Sequence, residues 1–475
     1  MKNLSLKEIE KEFGLPVRKV AFLIRKGIIN SVVDGGKILL TDAELMRYFD
    51  LSETEKKKHH VSYLKTLGPG LVTGASDDDP SGIGTYSTAG STYGLSLNWL
   101  ALYLLPMMTA VQETVARIGI VTGKGLSGAI GKQYGRKILY PLVILLVVAN
   151  TINIGADIGA MVASAQLLVP VNFYLGAIIL TLFMLLLEIK FSYHRYSKIL
   201  KWLTASLLGY IVTMVIIKPD WVEVAKSLVV PTIQFNAGFI ATMVAVMGTT
   251  ISPYLFFWQA SEEVEEEKDK GVLSDHRTAV VNREIKEMRK DTIAGMSYAT
   301  IVFFSIVVTT AFVLNEHGIT NIESAAQAAA ALEPLAGQFA SLLFTVGIFG
   351  VGLLAVPVLA GASAYGIAEL FKWHEGLSKK YSQAKGFYGV IVGSMIIGLL
   401  MNFIGINPIK ALYWAAVVNG VVAPILMYFI FKIGSDKKIM GDHTSPRWVR
   451  LWGWTATILM GTAAIVMFVL LALGK

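Results

Sequence analysis

The chain has 475 residues, 54% of them hydrophobic and 16% charged, with a mean hydropathy of +0.57. That composition lies outside the range of ordinary soluble domains and is that of a polytopic membrane protein. Cysteine is absent, which excludes disulfides and thiolate metal ligands, and the net charge of +8 is explained by topology without invoking nucleic acid.

The first sixty residues are polar, show no apolar signal segment and are expected to stay in the cytosol. Ser5 and Glu8 read as a capping box opening a short helix, and Val17 to Lys26 reads as a second helix bearing Arg18, Lys19, Arg25 and Lys26. Asp34-Gly35-Gly36 between two apolar runs is a hairpin signal, and Thr41 with Glu44 caps a third helix. The segment resembles the small winged helix-turn-helix of excisionase and MerR-type proteins. Its short tether, containing Lys56-Lys57-Lys58, favours a cytoplasmic docking or regulatory module of unknown partner over a DNA reader.

Apolar runs long enough for a hydrocarbon core of about 30 Å recur over 63–88, 93–119, 138–168, 171–190, 199–217, 237–260, 292–315, 338–369, 386–404, 409–432 and 450–472, eleven spans in all. With a cytosolic N-terminus, the Lys/Arg-rich connections 120–137, 190–201, 261–291, 370–385 and 432–450 all fall on the cytoplasmic side. Only Lys218, Lys226, Lys410 and Lys475 fall opposite, as the positive-inside rule requires, and the C-terminus ends there. All seven histidines lie in predicted loops or the N-terminal region.

The first span contains Asp77-Asp78-Asp79-Pro80-Ser81-Gly82. Each charge at the bilayer centre costs about 2.5 to 3.5 kcal/mol, so three carboxylates in a row face water or a cation rather than lipid. Pro80 lacks an amide donor, and Gly82 and Gly84 tolerate irregular backbone, so the span is expected to break here and free carbonyl oxygens. The sixth span carries Gly248-Thr249-Thr250-Ile251-Ser252-Pro253-Tyr254 and is expected to break at Pro253. Interrupted spans in corresponding positions of two halves point to an inverted-repeat transporter with its site between the breaks.

Gly68-Pro69-Gly70 with Asp79-Pro80-Ser81-Gly82 resembles the span 1 signature of the natural resistance-associated macrophage protein (NRAMP) family of divalent-metal transporters. The runs Gln112 to Gly123 and Thr250 to Tyr254 resemble that family's span 2 and span 6 motifs. The resemblance implies an all-α LeuT-type fold, a 5+5 inverted repeat over 63–217 and 237–432 with discontinuous helices 1 and 6, plus the span 450–472. The domains are then 1–60, the cytoplasmic module, and 61–475, the transporter.

The same resemblance puts the metal-binding aspartate on Asp79, the asparagine ligand on Gly82, the carbonyl position on Thr249, the methionine ligand on Ser252 and the histidine on Tyr254. Loss of the thioether leaves oxygen ligands, which suit Mg²⁺ or Mn²⁺, and the smaller residues are expected to enlarge the site for a partly hydrated ion. These departures resemble the NRAMP-related magnesium transporter branch; Met243 and Met247 nearby keep Mn²⁺ in competition. Of the family's span 3 proton relay only Asp157 survives, the other acid falling on Ile154, and span 9 lacks the expected arginines. Uncoupled import driven by the membrane potential is therefore expected, a divalent ion gaining about 4.6 kcal/mol per 100 mV.

Glu113 either attracts cations and orients metal-bound water, or pairs with Arg117 at i,i+4. Asp77 and Asp78 are expected to line the entrance or to cap the following half-helix. Glu188, Glu369 and the run Glu262 to Glu267 read as solvated, and Asn419 as bonded to a neighbouring helix or facing the pathway. The partners expected are a divalent cation and the lipid bilayer of a cell inner membrane, with no cofactor and no enzymatic constellation. The competing readings are a proton-coupled Mn²⁺/Fe²⁺ symporter and a membrane-anchored metal sensor.

Overall fold

The computed structural model describes residues 3–5, 32–34, 37–41, 69–190, 207–271, 273 and 278–474. Residues 1–67 and 68–475 form separate compact units. In the first unit, β1 (Asn3–Ser5), β2 (Val32–Asp34) and β3 (Lys37–Thr41) make an antiparallel sheet in the order β1, β3, β2. Asp34 pairs with Lys37, so the two strands of the expected hairpin are antiparallel partners, while β1 was not expected. Ser5 and Thr41, read as helix caps, end β1 and β3, while the helices read after them, the helix Val17–Lys26 and the lysine tether lie outside the described residues.

The second unit is helical. Its elements are α1 (Pro69–Asp77), α2 (Pro80–Tyr93), α3 (Trp99–Thr122), α4 (Leu126–Tyr134), α5 (Arg136–Ala165), α6 (Phe173–Lys190), α7 (Leu208–Ile216), α8 (Ala237–Thr250), α9 (Pro253–Lys270), α10 (Thr278–Thr310), α11 (Ala340–Phe371), α12 (Lys385–Met401), α13 (Pro408–Ser435) and α14 (Arg447–Ala472). Among the described residues nine helices are long and apolar enough to cross a membrane. The first expected span is instead the half-helix pair α1 and α2, and of the fifth only α7 is described, residues 199–206 lying outside.

Both expected breaks are present, and both second halves start with proline at the first helical position, where its missing N–H costs nothing. The two halves also repeat one packing relation: α2 lies on α10, and α9 lies on α3. Small residues bring the broken helices against their neighbours. A Cβ on Gly74 would stand 2.3 Å from the Gly295 carbonyl, and one on Gly248 2.2 Å from the Gly420 nitrogen, so α1 meets α10 and α8 meets α13 backbone to backbone.

The largest departure from the sequence reading is the connection 261–291. Helix α9 continues through Lys270, closed by Gly271 at φ 70°, and α10 begins at Thr278. Glu262, Glu263 and Glu267 are buried rather than solvated. Their helix is held by the Glu266–Lys270 pair at 3.0 Å, by Lys270 on Glu284 at 3.0 Å, and by Tyr365, whose hydroxyl donates to Glu265 at 2.6 Å. Glu369 is not free in solvent either: it accepts the Gly128 N–H at 2.9 Å, at the start of α4. Glu188 is 2% exposed, with neither carboxylate oxygen hydrogen-bonded. Hydropathy cannot distinguish an acidic loop from an acidic helix packed against tyrosine and lysine.

Candidate cation site at the two helix breaks

Asp79 is the N-cap of α2, with an extended ψ of 173°. Its Oδ1 accepts the Gly82 N–H at 2.7 Å and the Ser81 hydroxyl at 2.6 Å, the usual way a short acidic side chain satisfies an orphan donor at a helix start. Its Oδ2 accepts the Asn153 amide from α5 at 2.9 Å. Ser81 Oγ also lies 3.3 Å from Thr249 Oγ1, so one hydroxyl joins the Asp79 carboxylate to the last turn of α8.

The second break is tied internally. Ser252 Oγ donates to the carbonyls of Thr249 at 2.7 Å and Gly248 at 2.9 Å, and so keeps the end of α8 closed in the dry interior. Thr250 Oγ1 lies 3.0 Å from Tyr86 Oη, another link between the breaks. Tyr254, at the start of α9, donates its hydroxyl to the Ser76 carbonyl in the last turn of α1 at 2.6 Å. Further along the same two half-helices, Thr73 Oγ1 donates to Gln259 Oε1, and Gln259 donates to Glu263 at 2.8 Å.

Asp77 ends α1 and Asp78 sits in the break, both 0% exposed. They do not line an open entrance, and the cap of α2 is Asp79 instead. All four of their carboxylate oxygens and Asn153 Oδ1 are buried without a hydrogen-bond partner, and Asp157 is buried with only the Ser81 N–H directed at its carboxylate. Asp77, Asp79 and Asp157 all lie within electrostatic range of Tyr254, so these groups share one neighbourhood. The junction thus gathers acceptors and few donors, an arrangement suited to a cation.

The space expected at Gly82 is largely filled. A Cβ there would stand 3.3 Å from the Asp77 carbonyl, 3.4 Å from the Tyr86 ring and 3.5 Å from Thr249 Oγ1. Hydrogen bonds between the half-helices close the site on one side. On the α1 side the Tyr254–Ser76 and Thr73–Gln259 bonds seal it. On the other side lies an apolar void of about 10 Å³, lined by Gly84 and Ser87 of α2 and by Ala325 and Ala328 of the short helix Ala325–Ala330. Among the described residues no three His, Asp or Glu side chains form a ready metal cage.

Glu113 is not drawn into this network. It pairs with Arg117 one turn on and with Arg289 of α10 at 2.9 Å. Arg289 also lies over the Trp448 ring at 5.8 Å, which ties α14 to the same corner. Met243 and Met247 sit in the apolar core, and Asn419 is buried with neither side-chain atom hydrogen-bonded. Asn153 was missed by the sequence reading. The available signal was its spacing, one turn before Asp157 on the same face of α5.

With this geometry in view, the family model described as natural resistance-associated macrophage protein-like matches residues 70–470. The chain belongs to this family. It is 24% identical over 411 residues to the divalent metal cation transporter MntH of Klebsiella pneumoniae strain 342, an alignment covering 84% of this chain and 92% of that protein. Its fold is similar to that of the Eremococcus coleocola manganese transporter, with a TM-score of 0.69 at 18% identity over 85% of this chain and 87% of the other. It is also similar to Mhp1, a nucleobase-cation-symport-1 family transporter, in a closed conformation, with a TM-score of 0.51 at 14% identity over 85% of this chain and 91% of the other. At these identities the likeness is one of fold. Within the family's frame the two broken spans are α1/α2 and α8/α9.

Proposed function

We propose that the protein imports divalent metal cations across a cell inner membrane by alternating access, with Mg²⁺ as cargo and Mn²⁺ as its nearest competitor. The observation that carries this reading is the junction itself: a carboxylate fixed at the start of one half-helix, hydrogen-bonded through a hydroxyl to the end of the other, amid buried oxygens lacking donors. Asp79 is the charged ligand. Thr249 and Ser252 supply carbonyl or hydroxyl oxygen once their mutual bond rearranges, and Gly82 leaves its place without a ligand side chain. Asp77, Asp78 and Asp157 raise the local cation concentration, and Tyr254 gates the pathway.

The choice of Mg²⁺ is supported by an all-oxygen donor set, since Mg²⁺ dehydrates reluctantly and keeps several waters. Transport without proton coupling is supported by span 3, where Asp157 is the one acid, and by span 9, which carries no arginine. Eleven spans, an N-terminus in the cytoplasm, a C-terminus opposite and a helix-turn-helix-like module in residues 1–60 complete the reading; the hairpin of β2 and β3 supports that module.

The test is uptake by the full chain in proteoliposomes carrying a pH dye. Mg²⁺ flux without lumenal acidification is expected, and Asp79→Ala should abolish it; retained flux in that variant would remove Asp79 from the site. The second reading, a proton-coupled Mn²⁺/Fe²⁺ symporter, is favoured by the manganese transport named for the E. coleocola protein. It predicts that metal addition acidifies the lumen.

A further inference from the structure

We propose that Asn153 is a specificity-determining residue: it confines Asp79 to a single free lone pair and, with Asp157, accepts hydrogen bonds from water carried by the transported ion. The inference rests on the cation-transport reading and names how the cargo is recognised.

An ionised carboxylate offers about four lone-pair sites. Two on Asp79 Oδ1 are taken, by the Ser81 hydroxyl and the Gly82 N–H. One on Oδ2 is taken by Asn153 Nδ2. The Ser81 N–H is also directed at this carboxylate, so at most one site remains, and Asp79 holds a cation through a single bond and cannot chelate it. The rest of the ion's shell must come from elsewhere, and among the described residues no three acidic or histidine side chains are arranged as a cage; the oxygens near Asp79 serve another use.

They are arranged as acceptors. Asn153 Oδ1 is buried and unpartnered, and Asp157, one helical turn on along the same face of α5, is buried with only the Ser81 N–H directed at its carboxylate. Leaving such groups dry is costly, a penalty that water molecules bound to an ion relieve by donating to them. A helix that is not broken thus supplies acceptors beside the breaks. Ions that hold their water firmly gain most from such acceptors, and Mg²⁺ is the one that dehydrates most reluctantly.

The test compares Mg²⁺ and Mn²⁺ uptake by the wild-type full chain and by Asn153→Leu, which keeps the volume and removes both polar atoms. The expected result is at least a tenfold loss of apparent Mg²⁺ affinity against less than threefold for Mn²⁺. Cobalt(III) hexammine, whose fixed ammines donate outward like bound water, should compete with Mg²⁺ in the wild type and not in the variant. An unchanged Mg²⁺/Mn²⁺ ratio, or equal losses for both ions, overturns the proposal. Should Asn153→Leu not purify as a folded protein, Asn153→Ala is read on the same ratio, and failure of the hexammine to compete in the wild type alone also overturns it. A wild-type chain that carries no divalent cation refutes the transport reading itself, a different outcome from normal flux with an indifferent Asn153.

Discussion

Replacing Tyr254 by phenylalanine removes one hydroxyl and leaves the ring that fills the space beside α1. That hydroxyl is the donor to the Ser76 carbonyl at 2.6 Å, and both residues are fully buried. The carbonyl belongs to the last turn of a half-helix, where no intrahelical donor is available. In the closed state the variant therefore buries an unsatisfied acceptor at a cost of about 1 to 3 kcal/mol. If α1 swings aside, water reaches the carbonyl and the cost vanishes, so only the closed state is penalised. The ratio of open to closed molecules should rise by about 5- to 150-fold. Because the chain has no cysteine, Ser76→Cys is a clean reporter that leaves the acceptor carbonyl in place. The rate of its modification by a thiol reagent from the α1 side should increase by that factor when Tyr254→Phe is added. A rate unchanged within twofold, in a protein that still melts cooperatively, would refute the latch.

Ser252→Met tests ligand softness: it frees the Thr249 and Gly248 carbonyls and adds a thioether at the break, so Cd²⁺ transport should gain on Mg²⁺ by tenfold or more. Equal ratios before and after, measured by competitive uptake, would refute that argument. Glu375, in the connection after α11, has its pKa raised from about 4.5 to about 8 by burial and by the neighbouring Glu369 and Glu265, against the pull of Lys268 and Lys379. Its raised value means the folded chain binds a proton the unfolded chain releases, so the stability it contributes is present below about pH 4.5 and lost as pH rises through about 8. Glu375→Gln should flatten the fall in Tm between those values, and an unaltered pH slope would show that the group does not titrate in that window.

Much of the site could be read from the residues in order. Three aspartates and a proline inside an apolar run force a break, and a second proline five spans later repeats it, because lipid offers no partner for a stray charge or an unpaired carbonyl. The mutual arrangement could not be read that way. Periodicity reports which face of a helix is apolar, but not which neighbour it meets, so Glu113 stood equally as a cation guide and as a partner of arginine until Arg289 arrived from α10.

By itself, then, the sequence determined that the chain spans a membrane, where its two helices break and that Asp79 begins the helix after the first break, since all three follow from local chemistry and the cost of burying charge. Only the tertiary structure decided that Asn153 holds Asp79, that Tyr254 seals Ser76, that the acidic run 262–267 is packed and that the space at Gly82 is already occupied. Each of these depends on residues far apart in the chain meeting within hydrogen-bond distance, and no local pattern carries that information.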